Sequence, residues 1–172
     1  RHAGGCLRLD HFTGGGRRLL MSQPVPPACQ LRASSESADR AVAYARQQRI
    51  EIGRPLSFDE QYPGATALEN FAAALLAEIL NGLRLRAKKQ RLELDRVEGV
   101  VKVWLHNPLT VLDVVGEEGD PSVQTVSVKI FASTLEPEDA IQTLLREVLA
   151  RSPLCLTLAK AATLETSLQV TL

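Results

Sequence analysis

The stretch from Thr66 to Leu83 constrains this chain more than any other. Leu68, Phe71, Leu75, Ile79 and Leu83 recur at the spacing of one face of an α-helix. Between Phe71 and Leu80 nearly every other position is apolar too, and Glu78 interrupts the run. A helix that is apolar all round must be covered all round. One sheet covers one side of it, and a domain of this size has too little chain to fill the other. The pattern therefore predicts a buried central helix completed by a second copy, a homodimer. Thr66, with Glu69 three positions on, forms a capping box that satisfies backbone N–H groups the first turn leaves unpaired. Past Leu83 the sequence turns polar at Arg84, Arg86, Lys88, Lys89 and Arg91, a solvated end favoured by the helix dipole.

The flanking segments alternate between extended and helical patterns. Arg32 to Arg46 reads equally as strand or short helix. Ile50, Ile52, Leu56 and Phe58 suggest extended segments bent at Gly53-Arg54-Pro55, and Tyr62-Pro63-Gly64 makes a turn. After the long helix, Val97, Val101, Val103 and Leu105 share one face of a strand, with Glu98, Lys102 and Trp104 on the other. Val126, Val128 and Ile130 alternate in the same way against Ser127, Lys129 and Phe131. Such strands belong to a sheet with one solvated face. The link from Asn107 to Pro121 is too long for a tight hairpin; its Leu109, Val111, Leu112, Val114 and Val115 either lengthen the strands, cover a pocket or meet a partner. Pro137 opens a helix with Ile141, Leu144, Leu145, Val148 and Leu149 on its buried face. Ser152-Pro153 opens a shorter helix, and Leu164 to Leu172 alternates as a last strand. The order is α+β.

Charge excludes some functions. Lys plus Arg and Asp plus Glu are each 20, so the net charge is zero, and no basic block offers a footprint for nucleic acid. No apolar run approaches the roughly 20 residues of a membrane helix. Sparse, unpatterned cysteines (Cys6, Cys29 and Cys155) fit a reducing compartment, so the chain is expected to be soluble and cytoplasmic. Residues 1–30 differ in character: Gly4-Gly5, Gly14-Gly15-Gly16 and the Pro24, Pro26 and Pro27 cluster are turn and linker chemistry. They are read as a leader or linker, with Met21 the natural start and 31–172 the folded domain.

Two segments resemble a known family. Thr66-Ala67-Leu68-Glu69-Asn70-Phe71-Ala72-Ala73-Ala74-Leu75-Leu76-Ala77-Glu78-Ile79 and Arg151-Ser152-Pro153-Leu154-Cys155 are similar to the osmotically inducible protein C / organic hydroperoxide resistance (OsmC/Ohr) family. The resemblance runs over about Ile50 to Leu172. It implies an OsmC-like fold, with an antiparallel sheet packed on a long buried central helix and completed in an intertwined homodimer. It also implies a site with one cysteine in the middle of the first helix and a second in a Cys-Pro pair. Here the first place holds Glu78 or Ile79, depending on a one-residue choice of alignment, and the second holds Ser152. Glu69 matches a glutamate that in the hydroperoxide-resistance branch helps hold a catalytic arginine, although its capping role explains it equally well. For that arginine, Arg40, Arg46, Arg49 and Arg54 all lie in the right part of the chain.

The family's chemistry is attack of a thiolate on a peroxide O–O bond, giving a sulfenic acid that condenses with the second cysteine. A serine hydroxyl has no such oxidation ladder, so Ser152 is left with the role of a helix cap. Cys155 lies in the first turn after that cap. There it is either a small buried hydrophobe or a thiol whose pKa the helix dipole lowers. Glu78, inside an apolar run, must be paired, hydrogen-bonded or protonated. His2, His11 and His106 form no zinc-type ligand set, and Glu117-Glu118-Gly119-Asp120 reads as a solvated turn, so neither a metal nor a cofactor is expected. The preferred reading is a homodimer without the two-cysteine activity, binding a small apolar or acyl molecule at an interface pocket bordered by Glu69, Glu78, Ile79 and Ser152. The alternative is a thiol-dependent hydroperoxide reductase acting through Cys155.

Overall fold

The structure, a computed structural model, describes residues 29–57 and 63–171. The chain divides into Arg1–Gln30 and Leu31–Leu172. Of the first unit only Cys29 and Gln30 are described, so the leader or linker read at 1–30, with Met21, lies outside the described residues, as do Phe58 and Tyr62.

Three short strands open the second unit: β1 (Arg32–Ser37), β2 (Arg40–Ala45) and β3 (Gln48–Gly53), paired antiparallel in that order. The ambiguous stretch from Arg32 to Arg46 is thus a strand pair, a choice made by cross-strand pairing rather than by local period. Between β2 and β3 the chain turns in two residues, and Arg46 takes the left-handed φ of 56° that such a tight connection demands. Among the described side chains of this sheet, Ala43 is the buried one.

Helix α1 (Ala67–Gln90) starts at the capping box as its sequence requires: the Thr66 hydroxyl accepts from the Glu69 N–H, and the Glu69 carboxylate accepts from the Thr66 N–H at 2.7 Å. It ends in a left-handed residue, Arg91. The Leu92 N–H reaches the Ala87 carbonyl and the Arg91 N–H the Lys88 carbonyl, the paired bonds of a Schellman motif. Ala72, Leu75, Ile79, Leu83 and Ala87 are buried along one face. They pack on a second sheet formed by β4 (Arg96–Leu105), β5 (Val123–Ser133) and β6 (Thr163–Thr171). The approach is close: a Cβ on Gly99 of β4 would stand 2.9 Å from Leu76 Cδ1 and 3.0 Å from the Lys129 carbonyl oxygen.

One expectation needs correction. The second sheet is mixed, since β4 and β5 pair antiparallel while β5 and β6 pair parallel. The cause is the connection: α3 (Glu138–Leu149) and α4 (Pro153–Leu158) carry the chain back along the sheet, and a helical crossover delivers the next strand parallel. Within one chain α1 is covered on one side, and Phe71, Ala73, Ala74 and Ala77 are exposed on the other. Between β4 and β5, the link from Asn107 to Pro121 contains a single turn, α2 (Pro108–Val111), capped by the Asn107 side chain. Among the described residues no helix is long and apolar enough to cross a membrane.

Candidate functional site

Ser152 ends the link from α3 and caps α4. Its backbone is extended, Pro153 follows where a missing N–H costs nothing, and its hydroxyl accepts the Cys155 N–H at 3.0 Å. The same hydroxyl donates to a Glu78 carboxyl oxygen on α1, 74 residues away in the chain. Ser152 is 4% exposed and Cys155 2%, while Glu78 is half-buried. The carboxylate that interrupts the apolar run is therefore hydrogen-bonded, and it reaches the cap of a different helix.

The two candidate positions point to different surroundings. Glu78 stands opposite Ser152, whereas Ile79 is turned into the core with no exposed surface. Ile79 was expected at the pocket and packs instead with Val126, Val128 and Leu144 in the main apolar cluster. Glu69 is not brought to the site either. It lies nine residues before Glu78, about 14 Å along the helix at 1.5 Å per residue, and its carboxylate is held in the capping box. The bond from the Thr66 backbone N–H holds the Glu69 carboxyl below the usual carboxylate range. Of the candidate arginines, Arg40 and Arg46 are exposed, Arg49 pairs with Glu51 at 2.7 Å on the exposed hairpin, and Arg54 is half-buried where β3 ends. A further arginine the motifs did not single out, Arg86, joins α1 to Glu147 of α3 at 2.6 Å. That pair spans α1 and α3, packed elements, and has no part in the Glu78–Ser152 contact.

The Cys155 thiol does not have the depressed pKa that the helix-dipole argument allows. Burial pushes it up and the nearby Glu78 charge adds to the rise, outweighing the lowering by the Ser152 hydroxyl. A buried, protonated thiol is a poor nucleophile. What the site offers is a carboxyl, a hydroxyl and a helix-capping N–H joined in one chain of hydrogen bonds, with no thiol at either of the two facing positions. All three residues stand out in the sequence. It did not pair Glu78 with Ser152, because no local period links positions on different helices. Among the described residues no group of three or more His, Cys, Asp or Glu side chains is placed to hold a metal ion.

The architecture is that of OsmC-like proteins. An OsmC-like protein from Mycoplasma pneumoniae superposes with a TM-score of 0.71 at 16% identity, covering 86% of this chain and 100% of that one. The organic hydroperoxide resistance protein OsmC of Legionella pneumophila matches at 0.60 and 13% identity, over 84% of this chain and 100% of that one. For the organic hydroperoxide resistance protein OhrB of Bacillus subtilis the values are 0.54 and 17%, over 81% and 96%. No protein-family model matches the chain, and no curated protein matches its sequence. The likeness is therefore one of fold.

Proposed function

We propose that this chain is a divergent OsmC/Ohr member that acts as a homodimer without the two-cysteine peroxidase reaction, and that it binds a small apolar or acyl molecule at a pocket between subunits, bordered by Glu78, Ser152 and Cys155. The observation that carries the reading is the Ser152–Glu78 hydrogen bond. Where the resemblance would put two sulfurs within reach of one another, this chain has an alcohol bonded to a carboxyl group. Neither can be oxidised and resolved as a thiol pair is. The exposed Phe71, Ala73, Ala74 and Ala77 on α1 support a second subunit, because a helix face this apolar is stable when covered. The relatives named for hydroperoxide resistance suggest a stress-defence setting.

The test is consumption of cumene hydroperoxide by the purified protein with dithiothreitol, beside Cys155→Ser and a two-cysteine family member as positive control. No turnover in either form, with the control active, is the expected result. Turnover that vanishes in Cys155→Ser would overturn the proposal and make Cys155 the peroxidatic residue. Light scattering on the same preparation should return a dimer mass. A melting temperature that rises with an added acyl compound would separate a ligand-binding dimer from a bare scaffold.

A further inference from the structure

We infer that an apolar cleft at the N-terminal end of α1 is a binding site for a short, uncharged aliphatic or single-ring aromatic molecule. The cleft encloses about 300 Å³ and is lined mainly by Leu56, Leu68, Leu105, Val111, Pro121 and Val123. Leu68 lies ten residues before Glu78, about 15 Å along the helix at 1.5 Å per residue. None of its lining residues belongs to the Glu78–Ser152 site, so the inference stands apart from the reading of that site.

Its walls are separately anchored. The Gly53 N–H donates to the Ala65 carbonyl at 2.6 Å, which brings the end of β3, with Pro55 and Leu56 after it, back to the start of α1. The capping box at Thr66 and Glu69 fixes the first turn that carries Leu68. On the opposite side, the His106 N–H bonds the Ser122 carbonyl at 3.0 Å and the Asn107 N–H the Asp120 carbonyl at 2.9 Å. These two bonds close the neck of the β4–β5 link and hold Leu105 beside Val123. The Asn107 side chain, accepting from the Leu109 N–H at 3.0 Å, sets the turn of α2 that presents Val111. Walls tied by backbone hydrogen bonds cannot fold inward to fill the space, and the cleft is preformed, as ligand sites usually are.

The lining selects the occupant. Among the described residues no charged side chain borders the cleft, and Ser122 supplies the one polar side chain. At about 30 Å³ each, roughly ten waters would fill the space, and an ordered water needs 2–4 polar partners that these walls do not provide. An apolar molecule replaces them without losing hydrogen bonds. A carboxylate or ammonium group would be desolvated there without a partner, so the ligand is neutral. At about 300 Å³ the cleft sits at the lower limit of small-molecule pockets, which restricts it to compounds of the size of octanol or xylene.

The experiment titrates the intact chain with 1-octanol, p-xylene and sodium octanoate, read by melting temperature and by methyl NMR of leucine and valine. The expected result is a saturable rise in melting temperature with the two neutral probes, with octanoate at least tenfold weaker. Methyl shifts should concentrate at Leu68, Leu105, Val111 and Val123, and Leu68→Trp, which fills the cleft, should abolish them. If that variant does not fold, the wild-type shift map decides by itself. Non-saturating responses to both neutral probes would overturn the inference. So would shifts centred on Leu154 and Leu158 beside Ser152, or cleft shifts that follow protein concentration instead of probe, which would make a second copy the occupant. None of these outcomes bears on hydroperoxide turnover, so failure here and failure of the proposed function are distinguishable.

Discussion

Replacing Ser152 by alanine removes one hydroxyl that serves two partners. The Cys155 N–H loses its acceptor at 3.0 Å, and loss of a helix N-cap costs about 0.5–2 kcal/mol. Glu78 loses its donor, and a buried polar group left unpaired costs about 1–3 kcal/mol. Glu78 is half-buried, so water recovers part of that second contribution, and the sum comes to about 2–3 kcal/mol. For a chain of 172 residues this lowers the melting temperature by roughly 4–12 °C. In a Glu78→Ala background the carboxyl is already gone, and the same substitution should cost only the cap. The two changes are therefore non-additive by about 1–2 kcal/mol. Urea unfolding of wild type, both single variants and the double variant, at one protein concentration and with equal slopes, measures this coupling. Additivity to within about 0.5 kcal/mol would mean that Ser152 does not hold Glu78, and the account of the site would fail with it.

The capping box carries a pH signature. Because the Thr66 N–H holds the Glu69 carboxyl below its usual range in the folded chain, its contribution is complete above the ordinary carboxyl pKa and fades as pH falls through the lower folded value. The stability gap between wild type and Glu69→Gln should therefore narrow on acidification, and a gap that stays constant with pH refutes the assignment. Gly99→Ala tests the close approach of α1 to β4. The Leu76 methyl can yield but the Lys129 carbonyl cannot, and after the usual gain of alanine over glycine in a strand the net cost should be about 0.5–2 kcal/mol. A neutral or stabilised Gly99→Ala, measured by the same urea unfolding, would show that the helix does not rest directly on the strand.

Structure that depends on near neighbours was legible in the residues. The box at Thr66 and Glu69, the cap at Ser152 with Pro153, the alternation of β4, β5 and β6 and the buried stripes of α1 and α3 all follow from interactions a few positions apart. Hydrogen bonding within a turn and the periods of strand and helix act at that range, so the sequence displays them directly. Cys155 falls in the first turn of α4, and of its two readings the structure supports the small buried hydrophobe: the dipole argument sees one helix, whereas the burial that raises the thiol pKa comes from everything packed around it.

What the chain could not express by itself is contact between distant positions. The β1–β2 hairpin, the parallel pairing of β6 and the meeting of Glu78 with Ser152 each join segments whose local patterns are silent about one another. The choice between Glu78 and Ile79 shows the difference most simply. Adjacent residues on a helix point about 100° apart, so a shift of one position exchanges the core for the α4 cap. Local chemistry determined the elements, the caps and the absence of a thiol pair. Tertiary packing alone decided which side chains meet, because only the folded chain brings a carboxyl on α1 to a hydroxyl 74 residues further on.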